Sequence, residues 1–417
     1  MLVSDTEGYI DQLFIVIPKN IFDQSCKLSR SLRNSYTSLL SVLPDSINVE
    51  IYVSEKNQTN LLNLVPHIAV RENFNVHALP DNEIDGDDHW VRDHLHFYRG
   101  FSDLRARKPK LARKTRIEHW IEKKFPRAAI EPLDVYLDGG NQLVSGDFRI
   151  VGWSSVKTGI CSSGGDIYCQ LEKNIEIIDN LDRREVYYFY SIIEKISGAQ
   201  SILFGNMECG SLEEVVGLLQ ARWEFDEYVQ YLNQIPNLDR RPPSELSVEK
   251  VDQDGVHVDL FISVTGVKKN GKDVVLVADL VPVGNKKIAN NPVFQELTIA
   301  LDIFSKKLEK FGFEVIRNMV PYKLDSVGSG EFRARYYNNV IVETLARPER
   351  CKPFVFVPCF GDEEEDLLEF DQQNLEIWTE RGFEPIPLAG WGGLCGLFGA
   401  ARCATNVSKR IVPAGTE

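Results

Sequence analysis

The sequence is poor in cysteine and contains no closely spaced cysteine pair. Its 417 residues include only eight cysteines, and none of them form a Cys-x-x-Cys motif. A disulfide-stapled scaffold needs much denser cysteine usage, and structural zinc sites usually draw on such motifs. We therefore expect reduced thiols, a reducing cytoplasmic compartment and no metal site.

Long apolar runs and an excess of positive charge are also missing. The first residues include acids rather than an apolar core, and the uncharged stretch 385–401 is rich in glycine. We expect neither a signal peptide nor a membrane span. Lysine and arginine number 47 against 61 aspartates and glutamates, which gives a formal net charge of −14. This balance argues against a nucleic-acid partner and suits an enzyme with a cationic substrate.

Short β-type runs alternate with helical patterns along most of the chain, which predicts an α/β fold. Segments 22–42, 293–311 and 364–381 are predicted helices, and the last two have apolar residues three and four positions apart. Segment 181–246 is predicted as a helical insertion within a single domain over 1–417. The predicted strands are 13–18, 49–53, 135–137, 148–153, 256–264, 274–281, 340–342 and 354–358.

An internal repeat appears in the last third of the chain. A helical segment followed by Gly312-Phe-Glu recurs 70 positions later as one followed by Gly382-Phe-Glu. The segments 334–340 and 401–407 then share an Ala-Arg start and an Asn-Val end, 67 positions apart. Repeats of this size indicate pseudo-symmetric units of about 70 residues. Chance similarity between two helix–strand connections is the alternative explanation.

Two segments contain residues that are suited to nucleophilic and acid–base chemistry. In an extended strand His257 and Asp259 would project from one face, because side chains alternate along a strand. Cys403 follows the glycine-rich stretch and adjoins Arg402, whose positive charge favours a thiolate. Taken singly, each has a simpler explanation: a solvent-facing strand edge for the first pair, and a buried structural cysteine for Cys403.

Two further segments place carboxylates near predicted turns. Asp93 follows Trp90, and Asp138 is followed by Gly139, Gly140 and Asn141 in a glycine turn. A solvated turn and a plain hairpin are the simpler explanations. In combination, a cysteine and a histidine supply a nucleophile and a general acid/base, and two carboxylates can hold a planar cation. The four segments together indicate attack by a thiolate on a guanidinium carbon.

The order Trp-x-x-Asp, Gly-Gly-Asn, His-x-Asp and Cys-x-Thr resembles the guanidino-group-modifying (pentein) superfamily of deiminases and amidinotransferases. The resemblance spans 90–410, and segments 257–261 and 403–410 are most similar to peptidylarginine deiminases. It implies a five-bladed α/β propeller of ββαβ units. It also implies a chemistry that requires no metal and no organic cofactor.

The resemblance also implies a role for each matching residue. Cys403 is expected to be the nucleophile, His257 the general acid/base, and Asp93 and Asp259 the guanidinium clamps. The remaining expected substrate-binding residues are Trp90, Gly140, Asn141, Asn339 and Arg402.

The sequence departs from its nearest relatives at two places. Peptidylarginine and agmatine deiminases have a histidine at the position of Arg402. The arginine of this chain is more similar to arginine deiminases. His94 and His96 replace acids of the calcium-dependent relatives.

The predicted function is hydrolysis of a guanidino group to a ureido group and ammonia. The partner would be a small guanidino compound or a protein arginine side chain, with neither nucleic acid nor membrane involved. An amidinotransferase and a non-catalytic binder of cationic ligands are the alternatives. For free arginine, Arg92, Arg335 and Arg402 are the candidate partners of the substrate carboxylate.

Overall fold

The computed structural model describes ten stretches of the chain. They are 2–23, 26–84, 90–98, 103–109, 117–133, 139–146, 148–152, 200–204, 257–325 and 331–413. The α-helices in these stretches are α1 (Lys27–Val42), α2 (Glu55–Leu64), α3 (Val91–His94), α4 (Ile117–Lys124), α5 (Pro292–Lys310), α6 (Leu368–Thr379) and α7 (Gly392–Gly396).

Seventeen strands run through the same stretches. They are β1 (Tyr9–Val16), β2 (Asn48–Ser54), β3 (Phe74–Leu79), β4 (His96–Phe97), β5 (Arg105–Pro109), β6 (Ala129–Leu133), β7 (Gln142–Val144), β8 (Phe148–Gly152), β9 (Gln200–Phe204), β10 (Ile262–Lys269), β11 (Lys272–Pro282), β12 (Glu314–Leu324), β13 (Phe332–Ala334), β14 (Ile341–Glu343), β15 (Phe354–Pro358), β16 (Glu384–Leu388) and β17 (Thr405–Ile411).

The strands form five sheets that share one pairing scheme. Each sheet has an antiparallel pair beside a parallel pair, so the predicted α/β class is confirmed. Parallel neighbours need a crossover, and helices α1, α4, α5 and α6 supply it in four of the sheets. The sheet orders are β17-β1-β2-β3, β4-β5-β6, β7-β8-β9, β10-β11-β12-β13 and β14-β15-β16.

The repeat around Gly312 and Gly382 is confirmed in the structure. Both glycines follow a helix and have a left-handed backbone, with φ of 92° and 86°. Glycine adopts this conformation without the steric cost that other residues incur. Phe313 and Phe383 are then buried, and the next residue begins β12 or β16. The two copies therefore have the same helix–turn–strand structure.

The predicted strand 256–264 is wrong at its beginning. Val258–Leu260 form a 3₁₀ turn, and the strand begins only at Ile262. The backbone N–H of Val258 donates to the Asn141 side chain, and that of Asp259 donates to the Gly140 carbonyl. These bonds replace a strand ladder, so alternation along a strand is not what brings His257 and Asp259 together.

The predicted insertion 181–246 lies outside the described residues except for 200–204. Those five residues form β9, which runs parallel to β8 in the third sheet. None of the described helices is both long and apolar enough to cross a bilayer.

The apolar faces of the sheets and helices enclose one continuous buried cluster. It includes the aromatic side chains of Tyr36, Trp378 and Trp391, and also the segment that carries Cys403. Close packing of a buried segment resists displacement of its side chains. The core therefore holds Cys403 in a fixed position.

Candidate active site

Cys403 lies in a buried turn between α7 and β17, with only 2 % of its surface exposed. The side chain of Asn339 holds this turn. Its Oδ1 accepts hydrogen bonds from the backbone N–H groups of Arg402 (2.9 Å) and Cys403 (3.2 Å). Its Nδ2 donates to the Cys403 Sγ at 3.2 Å. Asn339 therefore orients the sulfur, and the structure places this expected substrate-binding residue beside Cys403.

The glycine-rich stretch before Cys403 is tied down by oxygen acceptors. The N–H of Gly390 donates to Asp362, and that of Gly392 donates to Glu363. The N–H of Gly393 donates to the hydroxyl of a serine on α1. These acceptors satisfy backbone N–H groups in the loop before α7 and at the first two residues of that helix, which fixes the segment that leads to Cys403.

Asp259 is fully buried beside the sulfur. Its Oδ2 accepts a hydrogen bond from Arg402 Nη1 at 2.5 Å and lies 3.5 Å from the Cys403 Sγ. Its Oδ1 accepts no hydrogen bond from the described residues, although it is buried among them. Burial raises the pKa of this carboxyl group, and Arg402 and His257 oppose that effect. A buried carboxylate oxygen without a donor is costly, so Asp259 is suited to accept an N–H from a ligand.

His257 and Asp93 both lie against the backbone of Gly140. The N–H of Gly140 donates to Asp93 Oδ1 at 2.8 Å. A Cβ atom on Gly140 would overlap the His257 ring at Nδ1 and lie 3.3 Å from Asp93 Oδ1. A ring nitrogen of His257, a carboxylate oxygen of Asp259 and the sulfur of Cys403 all lie within 4.8 Å of one another. The structure thus brings together the predicted nucleophile, acid/base and both clamps.

The Gly140→Ala variant is expected to lose most activity, because its methyl group would displace the His257 ring and the Asp93 carboxylate. Misplacing a catalytic group by about 1 Å can cost about 10²-fold in rate. If the site has the activity predicted from the sequence, turnover should fall by about that factor. Steady-state kinetics measure the rate, and circular dichroism measures the folded fraction by which it is divided.

Gly361→Ala is the matched control for this variant. A Cβ there would lie 2.7 Å from Asp371 Oδ2 and 2.7 Å from Leu368 Cδ2, away from these catalytic candidates. We expect lower stability but nearly normal turnover. Equal loss of turnover in both variants would show that the Gly140 effect is a general consequence of overpacking.

Trp90 and Asn141 contribute to the site in different ways. The Trp90 ring packs so closely on Gly399 that a Cβ there would overlap it, and the same Cβ would lie 3.1 Å from Cys403 Cβ. Trp90 therefore forms part of the wall beside the sulfur. Asn141 is fully buried and accepts the N–H of Val258 at 3.2 Å, so it supports the turn that carries Asp259.

Arg402 lies next to Cys403 and Asp259, and its guanidinium N–H groups donate hydrogen bonds to protein acceptors. Besides Asp259, it donates to both oxygens of Asp5 and to the carbonyls of Gly139 and Gln142. Only 4 % of the residue is exposed. A guanidinium with this many protein acceptors is a rigid support for its neighbours.

Asp5 is the residue that the sequence analysis missed. It is buried, and burial alone would raise its pKa, but the guanidinium groups of Arg402 and Arg92 lower the pKa to about 2. Asp5 belongs to no motif, and its partners are distant in the sequence. The only signal in the sequence was an acid among mixed polar residues at positions 4–8.

The surroundings of Cys403 keep its thiol protonated. Burial raises the pKa of the thiol well above its usual value, and the charges of Asp259 and Asp93 raise it further. All five cysteines in the described part of the chain are free thiols. A cation placed between the two carboxylates would offset their effect on Cys403, so binding a cation and forming a thiolate are coupled in this arrangement.

No protein-family model and no curated protein sequence matches the chain. Several solved structures, in contrast, match the chain over most of its length. An agmatine deiminase from C. jejuni matches with a TM-score of 0.57 and 11 % identity, covering 97 % of this chain and 94 % of that one. An agmatine deiminase of Enterococcus faecalis matches with a TM-score of 0.57 and 13 % identity, covering 98 % and 96 %. The chain therefore has the fold of the guanidino-group-modifying (pentein) superfamily.

Proposed function

We propose that this protein is a cysteine-dependent hydrolase of a guanidino group. The observation that carries the proposal is the Asp259 carboxylate, which is buried next to the Cys403 sulfur and whose Oδ1 has no hydrogen-bond partner in the described part of the chain. A guanidinium presents N–H donors in one plane around an electrophilic carbon. One N–H edge would bind Asp259 and another would bind Asp93, which places that carbon at the sulfur.

The reaction begins with transfer of the Cys403 proton to His257, favoured by the bound cation. The thiolate attacks the guanidinium carbon and forms a C–S bond. The His257 imidazolium then protonates the departing nitrogen, the C–N bond breaks and ammonia leaves a covalent thiouronium. His257 next takes a proton from water as the water oxygen attacks the same carbon. Collapse of the adduct breaks the C–S bond and releases the ureido product and Cys403.

We propose a small guanidino compound without a nearby carboxylate as the substrate. The three arginines predicted as carboxylate partners are already engaged: Arg92 and Arg402 bind Asp5, and Arg335 binds Glu364. Agmatine has this chemistry and is named for both solved structures above. The burial of Cys403 also favours a small molecule over an arginine side chain on a protein surface.

A substrate panel tests the proposal. The protein is incubated with agmatine, free arginine and an arginine peptide, and ureido product and ammonia are measured by colour reactions. We expect equal amounts of both products, with agmatine the best of the three substrates. Product formed only after addition of an amine acceptor would indicate amidino transfer instead. Absence of product from any guanidine, with no labelling of Cys403 by a guanidine-mimicking amidine, would indicate a binding protein.

The arrangement of the five sheets and the extent of the domain are also proposals. We propose that the five sheets close into a five-bladed propeller, as the resemblance implies. Residues 1–417 would then form one catalytic domain that contains the insertion 181–246. The cytoplasmic location stays a prediction from the sequence.

A further inference from the structure

Asp5 connects three separate parts of the chain by its side chain. Its Oδ1 accepts from Arg92 Nη2 (2.5 Å) and from Arg402 Nε (3.2 Å). Its Oδ2 accepts from Arg402 Nη2 (2.9 Å) and from the N–H of Val144 (2.7 Å). Val144 is the last residue of β7, the strand that follows the Gly140 turn. Four donors on one buried carboxylate make a rigid junction.

The two arginines that bind Asp5 are direct neighbours of active-site residues. Arg92 precedes Asp93 in the single turn of α3, and Arg402 precedes Cys403. Arg402 also donates to Asp259 at 2.5 Å. The segments that carry both proposed clamps and the proposed nucleophile are therefore connected to one carboxylate.

The salt bridges at Asp5 join two buried carboxylates, Asp5 and Asp259, to two guanidinium groups, Arg92 and Arg402. A third buried guanidinium, that of Arg410, donates to the backbone carbonyl of Asp5 and also interacts with its charge. The charged groups that act on the Cys403 thiol include Asp259, Asp93, Arg402 and Arg92, and a ring nitrogen of His257 lies within 4.8 Å of the sulfur. Removing the charge of Asp5 would make the surroundings of these groups one charge unit more positive.

We propose that Asp5 is a positioning residue that aligns Asp259, Asp93 and Cys403 through the two arginines and keeps the surroundings of Cys403 attractive to a cation. The kinetic part of this inference rests on the function proposed above. The electrostatic part does not, because the reactivity of the Cys403 thiol can be measured without any turnover.

The test compares Asp5→Asn, Arg92→Met and the double variant. The alkylation rate of Cys403 by neutral iodoacetamide is followed against pH, with mass spectrometry to separate the Cys403 peptide from exposed Cys26 and Cys351. Asp5→Asn makes the network one charge unit more positive, so the alkylation midpoint should fall by about one pH unit. Arg92→Met makes it one charge unit more negative, so the midpoint should rise. The double variant has the same net charge as the wild type, and its midpoint should return toward that of the wild type.

Kinetics with the best guanidine substrate provide the second readout. For Asp5→Asn we expect KM to rise by about tenfold or more, since the added positive charge beside Cys403 repels a cationic substrate. The matched control is Glu343→Gln, a buried carboxylate bound to Arg347 and to the N–H of Ile10. It should leave both the alkylation midpoint and KM unchanged.

Three results would overturn the proposal. The first is a wild-type midpoint in Asp5→Asn, and the second is a shift of both single variants in the same direction. The third is a shift in Glu343→Gln equal to that of Asp5→Asn, which would indicate general loosening. If Asp5→Asn does not fold, Arg92→Met still decides, because an unchanged midpoint there contradicts the network. If the two single variants shift the alkylation midpoint in opposite directions but the protein turns over no guanidine, the network is supported and the proposed hydrolysis is rejected.

Discussion

Cys403→Ala should abolish turnover while the fold survives. The change removes only the sulfur, and the backbone N–H groups of residues 402 and 403 can still donate to Asn339. Without the nucleophile the C–S bond cannot form, and loss of a nucleophile commonly costs about 10³-fold or more in rate. Ureido product should therefore become undetectable in an end-point assay, whereas thermal unfolding should change little.

The matched control for this variant is Cys359→Ala. Cys359 directly follows β15 and is also buried and free, but its sulfur donates to the carbonyl of Val357 within that strand. That variant should keep normal turnover at a small cost in stability. If Cys403→Ala retains more than a few per cent of the wild-type rate, the nucleophile is misassigned.

Asp259→Asn is expected to separate thiol reactivity from catalysis. The amide removes the negative charge that raises the pKa of Cys403, so the thiol should ionise at lower pH and alkylate faster at neutrality. The same change removes the acceptor for a guanidinium N–H and leaves Arg402 with a weaker partner. Losing one partner of a buried charged pair costs about 2–5 kcal/mol, so kcat/KM should fall by about 30-fold to several thousand-fold.

Both effects of Asp259→Asn are measured on the same protein sample. Alkylation against pH reports the thiol, and steady-state kinetics with a cationic guanidine report the clamp. The control is again Glu343→Gln, which removes a buried charge elsewhere and should change neither quantity. Retention of more than a tenth of the wild-type kcat/KM would reject Asp259 as a clamp.

The catalytic candidates could be predicted from the sequence because their chemistry is local and their residue types are unusual in combination. Cys403, His257, Asp93 and Asp259 lie in short motifs whose order carries the resemblance, and the structure brings all four together. The Gly312 and Gly382 repeat was also detectable, because a left-handed turn after a helix favours glycine in both copies.

Other features depend on contacts between distant segments and could not be predicted. The 3₁₀ turn at Val258–Leu260 forms because Gly140 and Asn141 take the hydrogen bonds that a strand neighbour would otherwise accept. The role of Arg402 depends likewise on Asp5, which lies 397 positions away. Local periodicity contains no information about such partners, so the alternating apolar pattern around His257 predicted a strand.

The pairing of β17 with β1 has a consequence for the biosynthesis of this protein. Strand β1 (residues 9–16) can form its antiparallel pair only after residues 405–411 have been synthesised. Asp5 likewise can bind Arg402 only near the end of synthesis. Contacts of such long sequence separation form slowly, since a large loop must close first. A polypeptide whose synthesis stops before Cys403 would therefore lack both the proposed nucleophile and the outer strand of the first sheet. Such a fragment could complete neither this sheet nor the contact between Asp5 and Arg402.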